Sequence, residues 1–229
     1  MQLLAIIFLG LLPSVVWLTF FVKEHKKHPE PPILIILAFL LGGLATFGAF
    51  YLQLYSYNEF LLNIGKNHFL TVTVFATIEE ILKWMAVWIF MILGISQGRF
   101  KDPIRPMIYS ITVALGFAAV ENIALLMNQS YLGYASMVVA ELLILRFIGA
   151  TLLHSAASGI VGFHWAGGIV KKENLTFHIL VGLILASSLH ATFNYLIIKY
   201  GPTIWPIAFV IFMGLIVLID FEELKTADV

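Results

Sequence analysis

The 229-residue chain contains no cysteine. That excludes a thiol nucleophile, a disulfide framework and a thiolate-bound metal. Its only aspartates are Asp102, Asp220 and Asp228, none in the interior of an apolar run, so a pair of aspartates working inside a membrane is excluded as well. Charged residues make up 11% of the chain, 13 basic against 13 acidic. That balance offers no net field to draw nucleic acid or an acidic partner. No His-Glu-x-x-His segment is present, which removes the zinc helix of that pattern. The first apolar run lacks a basic n-region and a small-residue cleavage site, and it carries Pro13. It reads as a span and not as a cleaved leader.

What the chain has in abundance is apolar surface: 61% of its residues are hydrophobic and the mean hydropathy is +0.98. Such a composition belongs to integral membrane proteins. Seven apolar runs stand at about 3–22, 33–57, 69–94, 107–127, 144–169, 175–199 and 203–219. The expected fold is all-α, a polytopic membrane helix bundle of about seven transmembrane helices, forming one domain over residues 1–229. Nine basic residues fall in one set of loops (Lys23, Lys26, Lys27, Arg99, Lys101, Arg105, Lys171, Lys172 and Lys225) and two, Lys66 and Lys199, in the other. The positive-inside rule then places the N-terminus outside and the C-terminal tail from Phe221 inside. The segment from Glu59 to His68 reads equally as an interfacial stretch or an ordinary loop.

One run breaks the apolar pattern. In Ala76-Thr-Ile-Glu-Glu-Ile-Leu-Lys-Trp84, the groups Glu79, Glu80 and Lys83 lie near the middle of a span. Each costs roughly 2.5–3.5 kcal/mol at a helix centre, so their presence asks for a reason. Helical spacing lets both carboxylates reach the ammonium. Three later spans carry polar groups too: Phe117, Glu121 and Asn122 in the fourth, His154 and Ser158 in the fifth, and His190 and Asn194 in the sixth. Counted at about 1.5 Å of rise per residue, the glutamates and histidines fall roughly 10–15 Å below the outer surface. Residues serving separate packing contacts have no reason to share a depth. Small residues around the histidines, among them Gly149, Ala150, Ser155, Ala186 and Ser187, let the helices close on one another.

Two imidazoles with two or three carboxylates suit a divalent metal, Zn²⁺ being the natural choice. The expected ligands are Glu80, Glu121, His154 and His190, and the expected catalytic set is Glu79, Glu80, Lys83, Glu121, His154, His190 and Asn194. An open metal position activates water, and the same glutamate–histidine set can activate it without a metal. One of the paired glutamates can carry a proton, and Asn194 can donate to a developing oxyanion. Gly94-Ile-Ser-Gln-Gly98 has the letters of a nucleophile elbow but no strand before it, and reads as a turn. Arg146 reads as a snorkelling anchor at the outer interface, with Glu141 or the polar layer as its alternative partners.

In order along the chain, Glu79-Glu80-x-x-Lys83, Phe117-x-x-x-Glu121-Asn122, His154 and His190-x-x-x-Asn194 resemble the PrsW family of intramembrane proteases. That family sits in a superfamily with the CAAX-prenyl endopeptidases and the bacteriocin-processing ABI proteins. The resemblance runs from about Phe75 to Tyr195. One departure from the prenyl-endopeptidase branch is Glu121, which stands where that branch has His. The resemblance implies cleavage of a membrane-anchored protein near the extracytoplasmic face, such as the first cut in an anti-sigma factor, by an enzyme of the cell membrane. Two other readings of the same helices are a non-catalytic scaffold and an ion or proton transporter.

Overall fold

A computed structural model of the chain describes residues 2–24, 30–92, 104–131, 145–201 and 203–226. Among these residues every regular element is helical. The helices are α1 (Gln2–Glu24), α2 (Pro32–Ser56), α3 (Phe69–Ile92), α4 (Arg105–Tyr131), α5 (Thr151–Val170), α6 (Leu175–Tyr200) and α7 (Ile204–Thr226). Six of them are long and apolar enough to cross a membrane. The remaining one, α3, is 24 residues long and carries the three charges.

Local chemistry sets several helix ends. Pro32 opens α2 at a position where a missing N–H is harmless. Asn174 caps α6 by accepting a hydrogen bond from the Phe177 N–H at 3.1 Å. Two π-helical turns extend the α-helices: Tyr57–Leu61 continues α2, and Arg146–Ala150 leads into α5. The former covers the start of the segment expected to be a loop or interfacial stretch. At the C-terminus, α7 continues to Thr226, past the apolar run that ends near residue 219. Phe221 and Leu224 stay buried while Glu222 and Glu223 face outward. Packing on one face therefore carries the helix beyond the reach of hydropathy.

The bundle is built around α4, which packs against α1, α2, α3 and α5. Close approach is made possible by missing side chains. A Cβ on Gly42 of α2 would meet the Val113 carbonyl of α4 at 1.9 Å, and one on Gly116 of α4 would meet the Phe39 carbonyl of α2 at 1.9 Å. The two backbones thus touch reciprocally, as small residues allow inside a bilayer. Thr46 then donates from α2 to the Phe117 carbonyl at 3.3 Å. At the other end, Glu30 receives the Tyr109 hydroxyl at 2.5 Å and pairs with Arg105 at 2.7 Å, which ties the entry to α2 onto α4. The outer face is a belt of large apolar residues, including Leu44, Phe47, Ile184, Phe212 and Ile219. In water such a belt would be a liability; in lipid it is the solvent-facing surface.

Candidate active site

The polarity of α3 is turned inward. Ala76, Glu79, Glu80, Lys83, Ala86, Val87 and Phe90 form its buried stripe, whereas Ile81, Met85, Trp88 and Ile89 are exposed. The spacing of three and four is that of one helical face. The charged groups therefore point at the bundle interior, with Glu79 6% exposed and Glu80 and Lys83 each 1% exposed.

Glu80 is fully engaged. Its Oε1 accepts from Lys83 Nζ at 2.7 Å and lies 2.7 Å from His190 Nδ1, and its Oε2 accepts from Ser158 Oγ at 3.2 Å. Lys83 Nζ also lies 2.7 Å from His154 Nδ1, 3.9 Å from Glu79 Oε2 and 4.7 Å from the centre of the Phe117 ring. An ammonium has donors only, so His154 Nδ1 is the acceptor in that contact. The ring proton of His154 then sits on Nε2, which donates to Glu121 Oε2 at 2.8 Å. The two imidazoles stand edge to face with their centres 5.0 Å apart.

Glu79 differs from its neighbour. Oε1 accepts from Gln53 of α2 at 2.8 Å. Oε2 is buried without a hydrogen-bond partner and lies 3.6 Å from His190 Nε2. Buried carboxylate oxygens are rarely left so. Among the described residues, Glu79, His154 and His190 form the one His/acidic group with ligand atoms all within 4.8 Å of one another.

Of the sequence-predicted residues, Glu79, Glu80, Lys83, Glu121, His154 and His190, from α3, α4, α5 and α6, therefore come together. Asn194 lies one turn beyond His190, half-buried. Of the expected ligands, His154 and His190 belong to the close group, Glu121 sits behind His154, and Glu80 has both oxygens occupied. The sequence reading did not single out Gln53. It also favoured an interfacial anchor for Arg146, whereas Arg146 Nη2 donates to Glu121 Oε2 at 3.0 Å and its Nε donates to Asn122 Oδ1. Asn122 Nδ2 in turn donates to Thr151 Oγ1 at 3.2 Å. Glu141 and the Gly94–Gly98 segment lie outside the described residues.

A donor set of one carboxylate and two imidazoles is a known kind of catalytic zinc site. The fit has two further supports here. Glu79 Oε2 is orphaned at the centre of the group. The outer ring nitrogens are held by carboxylates, Nε2 of His154 by Glu121 and Nδ1 of His190 by Glu80. Such backing orients metal-ligating histidines.

Fold and site together define a multi-pass helical membrane protein with a buried carboxylate–imidazole centre. The family model described as PrsW family intramembrane metalloprotease matches residues 30–219, and the chain belongs to that family. It is similar to a Protease PrsW of Oceanobacillus iheyensis, 26% identical over 98% of this chain and 97% of that protein. A Protease PrsW of Geobacillus kaustophilus is 25% identical over 82% of this chain and 78% of that protein. One of Bacillus subtilis is 25% identical over 84% and 83% respectively. No solved structure matches the chain. The protein is thus an intramembrane protease, embedded in the cell membrane and acting on membrane proteins.

Proposed function

We propose that the protease activates water at the point shared by Glu79, His154 and His190, and that these three residues hold a divalent metal, Zn²⁺. The observation that carries this reading is the buried, unpartnered Glu79 Oε2 facing His190 Nε2 at 3.6 Å. The donors are Glu79 Oε2, His154 Nδ1 and His190 Nε2. A metal held there supplies Lewis acidity, which activates water and polarises a peptide carbonyl.

The remaining residues prepare the site. Glu80 and Glu121 orient the two imidazoles from behind. Lys83 neutralises Glu80 and must release His154 Nδ1 when that lone pair is taken by a metal. Phe117 confines the ammonium on its remaining side. Asn194, one turn from His190, donates to the carbonyl oxygen as it gains charge. Glu121 is the less buried carboxylate of the cluster, its side chain 18% exposed against 8% for Glu79. It is the group placed to pass a proton between the centre and the surface.

A second reading follows from the Lys83 contact. If the ammonium keeps His154 Nδ1, the free Glu79 oxygen itself takes the proton from water and no metal is needed. Exhaustive chelation of purified enzyme separates the two. The metal reading predicts loss of cleavage of a single-span membrane peptide and recovery on adding Zn²⁺. Full activity in metal-free protein would overturn it.

The substrate class we assign is a membrane-anchored protein cut near the extracytoplasmic face, of the anti-sigma-factor kind. The support is the loop asymmetry of basic residues, which orients the N-terminus outside and puts the polar layer nearer that face. Residues 1–229 act as one domain in this reading, with the motif residues between 75 and 195.

A further inference from the structure

We infer that Arg146 is a positioning residue of the catalytic centre: by gripping Glu121 and Asn122 it keeps the Glu121 carboxylate on His154 Nε2, and so decides which imidazole nitrogen faces Glu79 and His190. The inference deepens the proposed function and rests on His154 serving in that centre.

The chain of contacts runs outward from the ring. Lys83 can only donate, so His154 accepts at Nδ1 and carries its proton on Nε2. That proton has one acceptor in the structure, Glu121 Oε2 at 2.8 Å. The same oxygen receives Arg146 Nη2 at 3.0 Å. The second arm of the guanidinium, Nε, reaches Asn122, which is tied to Thr151, three residues before His154. The fork thus spans adjacent residues of α4 and links them to the first turn of α5.

Glu121 has a way out that Glu79 and Glu80 lack. Its side chain is 18% exposed, so without its counter-charge the carboxylate has room to turn away from the ring. His154 Nε2–H would then have no acceptor, and the ring would be free to flip or change tautomer. A lysine cannot replace the fork, because its ammonium is a single compact charge and does not offer two fixed, coplanar donors. Arg146 also opens the π-helical turn Arg146–Ala150. Turns of this type inside helices are frequent at functional sites. The turn is pinned from α1 by a separate bond, Trp17 Nε1 to the Phe147 carbonyl at 3.0 Å, which gives a control that leaves Glu121 untouched.

The test uses full-length protein in lipid nanodiscs with ¹⁵N-labelled histidine, the His154 signals assigned by their loss in His154→Asn. Wild type should show one tautomer, protonated at Nε2. Arg146→Met should show a tautomer mixture or exchange-averaged shifts, and Arg146→Lys should fall between. Trp17→Phe, which removes the indole N–H that tethers the turn and keeps an aromatic ring against Phe147, should keep the wild-type signal. Zn²⁺ affinity, measured with a competing chromophoric chelator, should fall about 10–100-fold in Arg146→Met. If that variant does not fold, Arg146→Leu, which likewise removes both the donors and the charge, is read the same way. A folded variant lacking the Arg146 charge that retains the single Nε2–H tautomer overturns the inference. So does a perturbation of equal size in Trp17→Phe. If wild type binds no Zn²⁺, the metal reading falls, and the tautomer comparison still decides the role of Arg146.

Discussion

Replacing Lys83 by Met keeps most of the side-chain volume and removes one charge from the least exposed part of the bundle. In the structure that ammonium lies 2.7 Å from Glu80 Oε1 and 3.9 Å from Glu79 Oε2, with both partners almost wholly buried. Removing one member of a buried pair leaves the other uncompensated, at about 3–5 kcal/mol. At 1.4 kcal/mol per tenfold, that is roughly two to three and a half decades in the unfolding equilibrium. The loss is a large part of a total stability of about 5–15 kcal/mol. Glu80 keeps His190 and Ser158 as partners, which argues for the lower half of the range. The matching double variant, Lys83→Met with Glu80→Gln, removes the stranded charge. It should recover most of the loss, and the non-additivity is the signature of direct coupling. Reversible unfolding in mixed micelles, followed by tryptophan fluorescence, measures wild type, Lys83→Met, Glu80→Gln and the double variant. A Lys83→Met protein within about 0.5 kcal/mol of wild type, the ordinary spread for surface changes, would refute the reasoning.

Gln53→Met should leave the fold intact and lower Zn²⁺ affinity by about 10–100-fold, because Glu79 Oε1 loses the amide at 2.8 Å that aims the other oxygen; isothermal titration reads it. Gly116→Ala should destabilise by about 1–3 kcal/mol through overpacking, since the new methyl would meet the Phe39 carbonyl; thermal unfolding checks it, with Gly48→Ala as a comparison site where the new methyl would meet Leu82 at an ordinary 3.5 Å. The absence of cysteine makes topology directly measurable. In intact cells Lys66→Cys should react with a membrane-impermeant maleimide, while Lys171→Cys should react only after permeabilisation. The reverse pattern would invert the assigned orientation.

The bundle was largely legible in the sequence because lipid imposes simple rules. A span must be apolar and helical, and the three charges of α3 stood out against that background. Convergence was legible from depth alone, since Glu79, Glu80, Glu121, His154 and His190 fall in one layer. Rotation about each helix axis was not legible. Glu79 and Glu80 are neighbours on α3, about 100° apart, and only the packing of α3 against α2 and α6 decides that Glu79 keeps one oxygen without a hydrogen bond beside His190 while both Glu80 oxygens are hydrogen-bonded. Gln53 sits near the end of an apolar helix, where a lone amide looks like an interfacial residue. Its meaning comes from Glu79, 26 positions away. Arg146 had the same ambiguity: it pairs with Glu121 from within a π-helical turn, which leaves no hydropathy signal. The end of α7 escaped for a related reason: a helix packed on one face by Phe221 and Leu224 outlasts the apolar run that announces it.

The central claim is that Glu79, His154 and His190 meet around one metal ion. The most direct measurement is an anomalous-difference map at the zinc absorption edge from crystals of active, zinc-loaded protein. The account predicts one peak per chain, in contact with a Glu79 oxygen and one nitrogen of each histidine. Zinc-dependent cleavage by a protein whose only peak lies away from these three residues would contradict it.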